Sequence, residues 1–101
     1  NKIDSLNLRH FNGMSKLKRL LLDENPIKTI EYVTLSGLNS LELLSLAGTE
    51  IKSIEHGNFV GINQLRVLNL ERNELGNLNR VYLKGLENLE QFNKYKHELF
   101  G

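Results

Sequence analysis

Apolar side chains recur along this chain in a pattern that returns every 24 residues. In the stretch 65–88 they stand at Leu65, Leu68, Leu70, Leu75, Leu78, Leu83 and Leu86, with Asn73 and Gly85 among them. One period earlier the same slots hold Leu41, Leu44, Leu46, Thr49, Ile51, Ile54, Phe59, Gly61 and Ile62. One period before that come Leu17, Leu20, Leu22, Asn25, Ile27, Ile30, Leu35, Gly37 and Leu38, and the chain opens on Asn1, Ile3, Leu6, Phe11, Gly13 and Met14. Self-similarity at this period predicts a stack of small units. None of them can bury its apolar edge alone, and each is covered only by its neighbours.

Within each unit the Leu-x-Leu core predicts a short strand. Leu20 and Leu22 point to one side, and Arg19, Leu21 and Asp23 to the other, as strand alternation requires. Strands of successive units then stack in parallel, about 4.8 Å apart. The returning arm (Ile27, Ile30, Leu35, Leu38 and their equivalents) lacks a clean helical period, so it predicts short turns or 3₁₀ segments packed against the strands. Each buried leucine or isoleucine contributes roughly 1.5–3 kcal/mol. Gly13, Gly37, Gly61 and Gly85 fall in register and predict a tight or left-handed turn before buried Met14, Leu38, Ile62 and Leu86.

The consensus LxxLxLxxNxLxxLxxxxFxGL resembles the extracellular "typical" type of leucine-rich repeat. It covers Asn1 to about Phe92, with Thr49 departing from the usual asparagine. The resemblance implies an α/β right-handed solenoid with parallel strands on the concave face and turns or 3₁₀ segments on the convex face. Residues 1–93 are then repeats: a partial one at 1–16, full ones at 17–40, 41–64 and 65–88, and a partial one from 89. Residues 94–101 form an irregular end or the start of a C-terminal cap, because Lys94 stands where Leu70 stood one period before. No polar cap is legible at either end, so flanking repeats or caps are expected. The family mostly binds proteins or other ligands on its concave face. The chain is similar to Toll-like receptor ectodomains and to secreted or adhesion proteins. That likeness implies an extracellular or cell-surface glycoprotein in innate immunity or adhesion, ahead of a cytoplasmic one, with a protein ligand or co-receptor.

In the Asn1, Asn25, Thr49, Asn73 ladder the amide serves a definite purpose. The chain turns inward after each strand and would strand backbone N–H and C=O groups, which an asparagine can satisfy on its own and the adjacent coil. Thr49 offers fewer bonds, so it is expected to be the weak rung, helped by a water or a shifted backbone.

Composition then narrows the function. Thirteen basic and twelve acidic residues, well mixed, leave a net charge of +1 and no electrostatic footprint for nucleic acid or an anionic membrane. No run of 18 apolar residues exists to span a membrane. Cysteine is absent, which removes disulfides and thiol chemistry from this segment. His10, His56 and His97 fall at different phases of the repeat and will not converge on a metal. Asp23 and Glu24 are adjacent, so on a strand they face opposite ways and read as solvated or capping groups, not as an acid/base pair. No catalytic, cofactor or metal site is expected.

Binding has more support, through the solvent-facing ladders. Lys18, Glu42, Arg66 and Glu90 alternate in sign and read as a structural charge ladder. Beside it run Arg19, Leu43, Val67, Gln91, then Leu21, Ser45, Asn69, Asn93, then Asp23, Ala47, Glu71, Tyr95. Leu21, Leu43, Val67 and Ala47 predict a nearly continuous apolar strip on this face, and such strips mark interaction sites. Asp23, Arg66, Glu71 and Arg72 would rim it, and Ser45 and Asn69 would complete the binding face. The other readings are a structural spacer whose array binds its ligand elsewhere, and a scaffold for a catalytic domain outside this chain.

Overall fold

The computed structural model describes residues 5–6, 11, 13–31, 34–54, 58–75, 83 and 85–93. Six short strands run in chain order: β1 Ser5–Leu6, β2 Arg19–Leu21, β3 Thr29–Ile30, β4 Leu43–Ser45, β5 Val67–Asn69 and β6 Gln91–Asn93. β2, β4, β5 and β6 form one four-stranded parallel sheet in that order. Its register joins Arg19, Leu43, Val67 and Gln91, then Leu20, Leu44, Leu68 and Phe92, then Leu21, Ser45, Asn69 and Asn93. Every partner is 24 residues on, so the sequence period and the pitch of the stack are the same quantity. Backbone bonds extend the pairing past the strands, from Leu43 N donating to Lys18 O to Gly48 N donating to Glu71 O.

Side chains on the inner side of this sheet make the core. Leu41, Leu44, Leu46, Leu65, Leu68 and Leu70 are fully buried, as are Ile27, Leu35, Leu38 and Ile62 from the returning arms. The outer coils are less covered: Leu17, Leu20, Leu22, Leu75, Leu83, Leu89 and Phe92 are only partly buried. That gradient follows from the stack itself, since a middle coil is covered on both sides and an outer one on a single side. It also corrects the expectation for Met14, which is 44 % exposed. Met14 is the outermost rung of the Met14, Leu38, Ile62, Leu86 ladder, with a described coil on one side only.

The returning arms run through turns, with a single described 3₁₀ residue at Leu83 and no α-helix among the described residues. β1 and β3 add a two-stranded parallel sheet where the sequence predicts turns or 3₁₀ segments, joining Ser5 with Thr29 and Leu6 with Ile30, again 24 residues apart. Three of the four in-register glycines have positive φ, Gly13, Gly61 and Gly85, and Gly37 does not. At Gly61 the turn also brings Ser36 of the preceding coil against the backbone, where a Cβ would lie 2.5 Å from Ser36 Cα. Residues 94–101, expected as an irregular end or cap, lie outside the described residues, as do Asn1 and all three histidines.

Candidate functional site: the outer face of the sheet

Three residues past the ends of β2, β4 and β5 stands a residue of left-handed conformation, again one period apart: Glu24 (φ 65°), Gly48 (φ 66°) and Arg72 (φ 59°). This residue turns the chain inward, so that position 25, 49 or 73 drops beneath the sheet edge. Two of the three carry a Cβ, at a cost of roughly 1–2 kcal/mol each. The glycine in the middle has a second use. Glu24 Oε2 and Arg72 Nη2 meet at 2.7 Å, two coils apart, by passing across Gly48. A Cβ on Gly48 would run into the Glu24 carboxylate. Sequence reasoning missed this bridge, although Glu24, Gly48 and Arg72 share a phase of the repeat.

The inward-turning rungs then tie the coils together. Asn25 Nδ2 donates to Leu22 O at 3.1 Å, within its own coil. Asn73 Nδ2 donates to Leu70 O at 3.1 Å and back to Leu46 O at 2.8 Å. The buried Thr49 hydroxyl donates to Asn73 Oδ1 at 2.7 Å and lies 3.0 Å from Leu46 O. At Thr49, where the sequence predicts a weak rung, Asn73 of the next coil reaches back over it.

The outer face itself is built from the alternate residues of β2, β4, β5 and β6. Leu21 is 64 % exposed, Leu43 and Val67 are half-buried, and Asn69 and Glu71 are half-buried beside them. Ser45 and Ala47 depart from expectation: both are buried, at 4 % and 2 % exposure. Each is a short side chain between longer ones in its ladder, Leu21 and Asn69 around Ser45, Asp23 and Glu71 around Ala47. At a spacing of about 4.8 Å the longer neighbours close over the short one. The apolar strip therefore consists of Leu21, Leu43 and Val67, with Ala47 beneath the surface. Ser45 Oγ makes no hydrogen bond to another protein group. Asp23 Oδ1 accepts from Ala47 N at 3.3 Å and Asn69 Oδ1 from Glu71 N at 3.0 Å, so Asp23 serves as a backbone cap.

Above Leu43 and Val67 lies a hollow of about 180 Å³, walled by Arg19, Glu42, Arg66 and Glu90. Arg66 and Glu90 form a two-pronged pair, Nε to Oε2 at 2.9 Å and Nη2 to Oε1 at 3.2 Å. The hydrogen bond and then the charge of Arg66 hold the Glu90 carboxyl below its ordinary pKa. The hydrogen bond and charge of Glu90, with a smaller contribution from Glu42, raise that of Arg66. Both groups are exposed, so water screens the pair and its value lies in positioning more than in stability. The sequence named Arg66 for the rim; Arg19, Glu42 and Glu90 join it because the stack places them at the same edge. Arg72, also named, is held instead by Glu24.

A larger hollow of about 400 Å³ lies beyond the strand ends, lined by Thr49, Glu50, Lys52, Arg72 and Glu74. The described residues that line it are all polar or charged. Among the described residues no three His, Cys, Asp or Glu side chains gather where they could hold a metal ion. No helix among them is long and apolar enough to cross a membrane. The outer face offers apolar contact, shape and charge, which are the means of non-covalent recognition.

Comparison with known families agrees with this architecture. The family profile described as "Leucine rich repeat" matches residues 1–51 and 41–93. No curated protein matches the chain. With nearly its whole length matched and its strands stacked in one parallel sheet, the chain belongs to the leucine-rich repeat family. Repeats of this family are generally non-catalytic modules of protein–protein interaction, and they occur in many compartments.

Proposed function

We propose that this chain is a protein-recognition segment that binds its partner through the outer, concave face of the four-stranded sheet. The observation that carries the reading is the hollow over Leu43 and Val67, with exposed Leu21 beside it and charged walls around it. An apolar centre inside a polar rim is the common anatomy of an interface. The repeat pattern, which resembles the extracellular type, supports a place in a larger receptor or secreted protein similar to the Toll-like class, with flanking repeats or caps covering its ends. The segment needs no cofactor or metal for this role and has no catalytic part in it.

Leu43→Glu with Val67→Glu puts two carboxylates on the floor of the hollow. The expected result is loss of partner binding in a co-precipitation from the native source, with the far-UV circular dichroism of the fold retained. Leu21→Glu, at an exposed position, gives the same readout without touching the half-buried floor. Unchanged affinity in all three positions would overturn the reading.

A further inference from the structure

Of the charges around the hollow, Arg66 and Glu90 engage each other, Glu42 lies between Lys18 and Arg66 on the same alternating ladder, and Arg19 stands outside that ladder. Arg66 is engaged through Nε and Nη2 by Glu90, and Glu42 stands on the same ladder beside it. Arg72 is engaged by Glu24. Arg19 lines the same hollow and, among the described residues, has no ion pair. Its guanidinium is a planar donor fork whose natural complement is a carboxylate. It stands in register with Leu43 and, two residues along β2, beside Leu21. The opposite ends of the strands are anionic, with Asp23 exposed and Glu71 half-buried. A carboxylate is therefore welcome at one edge of the apolar floor and repelled at the other.

Size narrows the occupant further. Small-molecule sites usually enclose about 300–1,000 Å³, and this hollow encloses about 180 Å³. That volume suits one or two side chains of a larger partner. A net charge of +1 over the chain offers no footprint for a phosphate backbone. Resting on the concave face being the recognition surface, we infer that its partner is a protein segment presenting an aliphatic side chain next to an aspartate or glutamate. The aliphatic group sits on Leu43 and Val67, and the carboxylate pairs with Arg19.

The test is selection of phage-displayed random 12-residue peptides on the full chain, followed by fluorescence anisotropy of the selected peptides. Four proteins are compared: the unaltered chain, Arg19→Glu, Leu43→Glu and Lys28→Glu. Lys28 is exposed beside β3, so Lys28→Glu makes the same change in net charge as Arg19→Glu away from the hollow. Circular dichroism confirms folding of each, and Leu21→Glu replaces Leu43→Glu should the latter unfold. The expected outcome is enrichment of peptides with Asp or Glu within two positions of Leu, Ile or Val. Their binding should weaken at least tenfold in Arg19→Glu and in Leu43→Glu, and stay unchanged in Lys28→Glu. Peptides sensitive to Leu43→Glu but indifferent to Arg19→Glu would overturn the carboxylate pairing and leave the recognition surface standing. Peptides indifferent to both, or no enrichment at all, would count against the surface itself.

Discussion

Gly61→Ala should be among the most damaging single-methyl changes in this protein, and Gly37→Ala among the least. Both glycines occupy the same phase of the repeat, so their contrast isolates geometry from sequence context. At Gly61 φ is +94°, a conformation that L side chains rarely adopt, and an added Cβ would lie 2.5 Å from Ser36 Cα and 2.7 Å from Ser36 O. Those are backbone atoms of the neighbouring coil and cannot swing aside as a side-chain tip would. The conformational strain costs about 1–3 kcal/mol, and the displacement of packed coils adds about 1–3 kcal/mol. Gly85 separates the two effects: its φ is +99°, yet a methyl group added there would meet nothing within 4 Å. Gly85→Ala should therefore show the strain alone. Gly37 lacks the positive φ and has open space around it, so alanine there should be neutral or stabilising by about 0.4–1 kcal/mol through the unfolded state. Urea denaturation of the three variants checks the order. A Gly61→Ala protein as stable as Gly85→Ala would contradict the close approach of the two coils.

The second large effect is expected at Asn73. Its amide holds Leu70 O of its own coil and Leu46 O of the coil before, and its carbonyl accepts from Thr49. In Asn73→Ala the Thr49 hydroxyl can turn fully to Leu46 O, which it already approaches at 3.0 Å. Among the described residues Leu70 O then has no such substitute. Stranded groups of this kind cost about 1–3 kcal/mol each, so the variant should lose about 2–3 kcal/mol. Asn25→Ala, which gives up one bond within a single coil, should lose about 1 kcal/mol. A double-mutant cycle of Thr49→Ala and Asn73→Ala should show coupling, because the two side chains share a bond and an acceptor. Equal losses at Asn25 and Asn73, with no coupling to Thr49, would mean that the rungs act separately.

What the sequence disclosed is what the 24-residue period controls. The pairing of Arg19 with Leu43 and Val67, and of Leu20 with Leu44 and Leu68, follows from equal spacing alone. The inward leucines follow from alternation. What it did not disclose depends on the lateral neighbours of a residue. Ser45 and Ala47 occupy outward positions, yet they are covered because the ladders flank them with Leu21, Asn69, Asp23 and Glu71. Met14 has the pattern of a core residue but the environment of an outer rung. Asn73 compensates for Thr49 from the next coil, and the Glu24–Arg72 bridge spans two coils over a glycine; neither is visible in one repeat read alone. The same holds for the hollow. Leu43 and Val67 were legible as exposed apolar rungs, but that Arg66 pairs with Glu90 and not with Glu42 is set by side-chain geometry across the coils.

Recognition on the outer face of the sheet is tested most directly by methyl NMR. The protein labelled at leucine and valine methyls is titrated with the tightest of the selected peptides. The expected result is a set of shift changes concentrated at Leu21, Leu43 and Val67. Changes centred instead on Val60, an exposed side chain on the returning arm, with the three strand residues undisturbed, would contradict it.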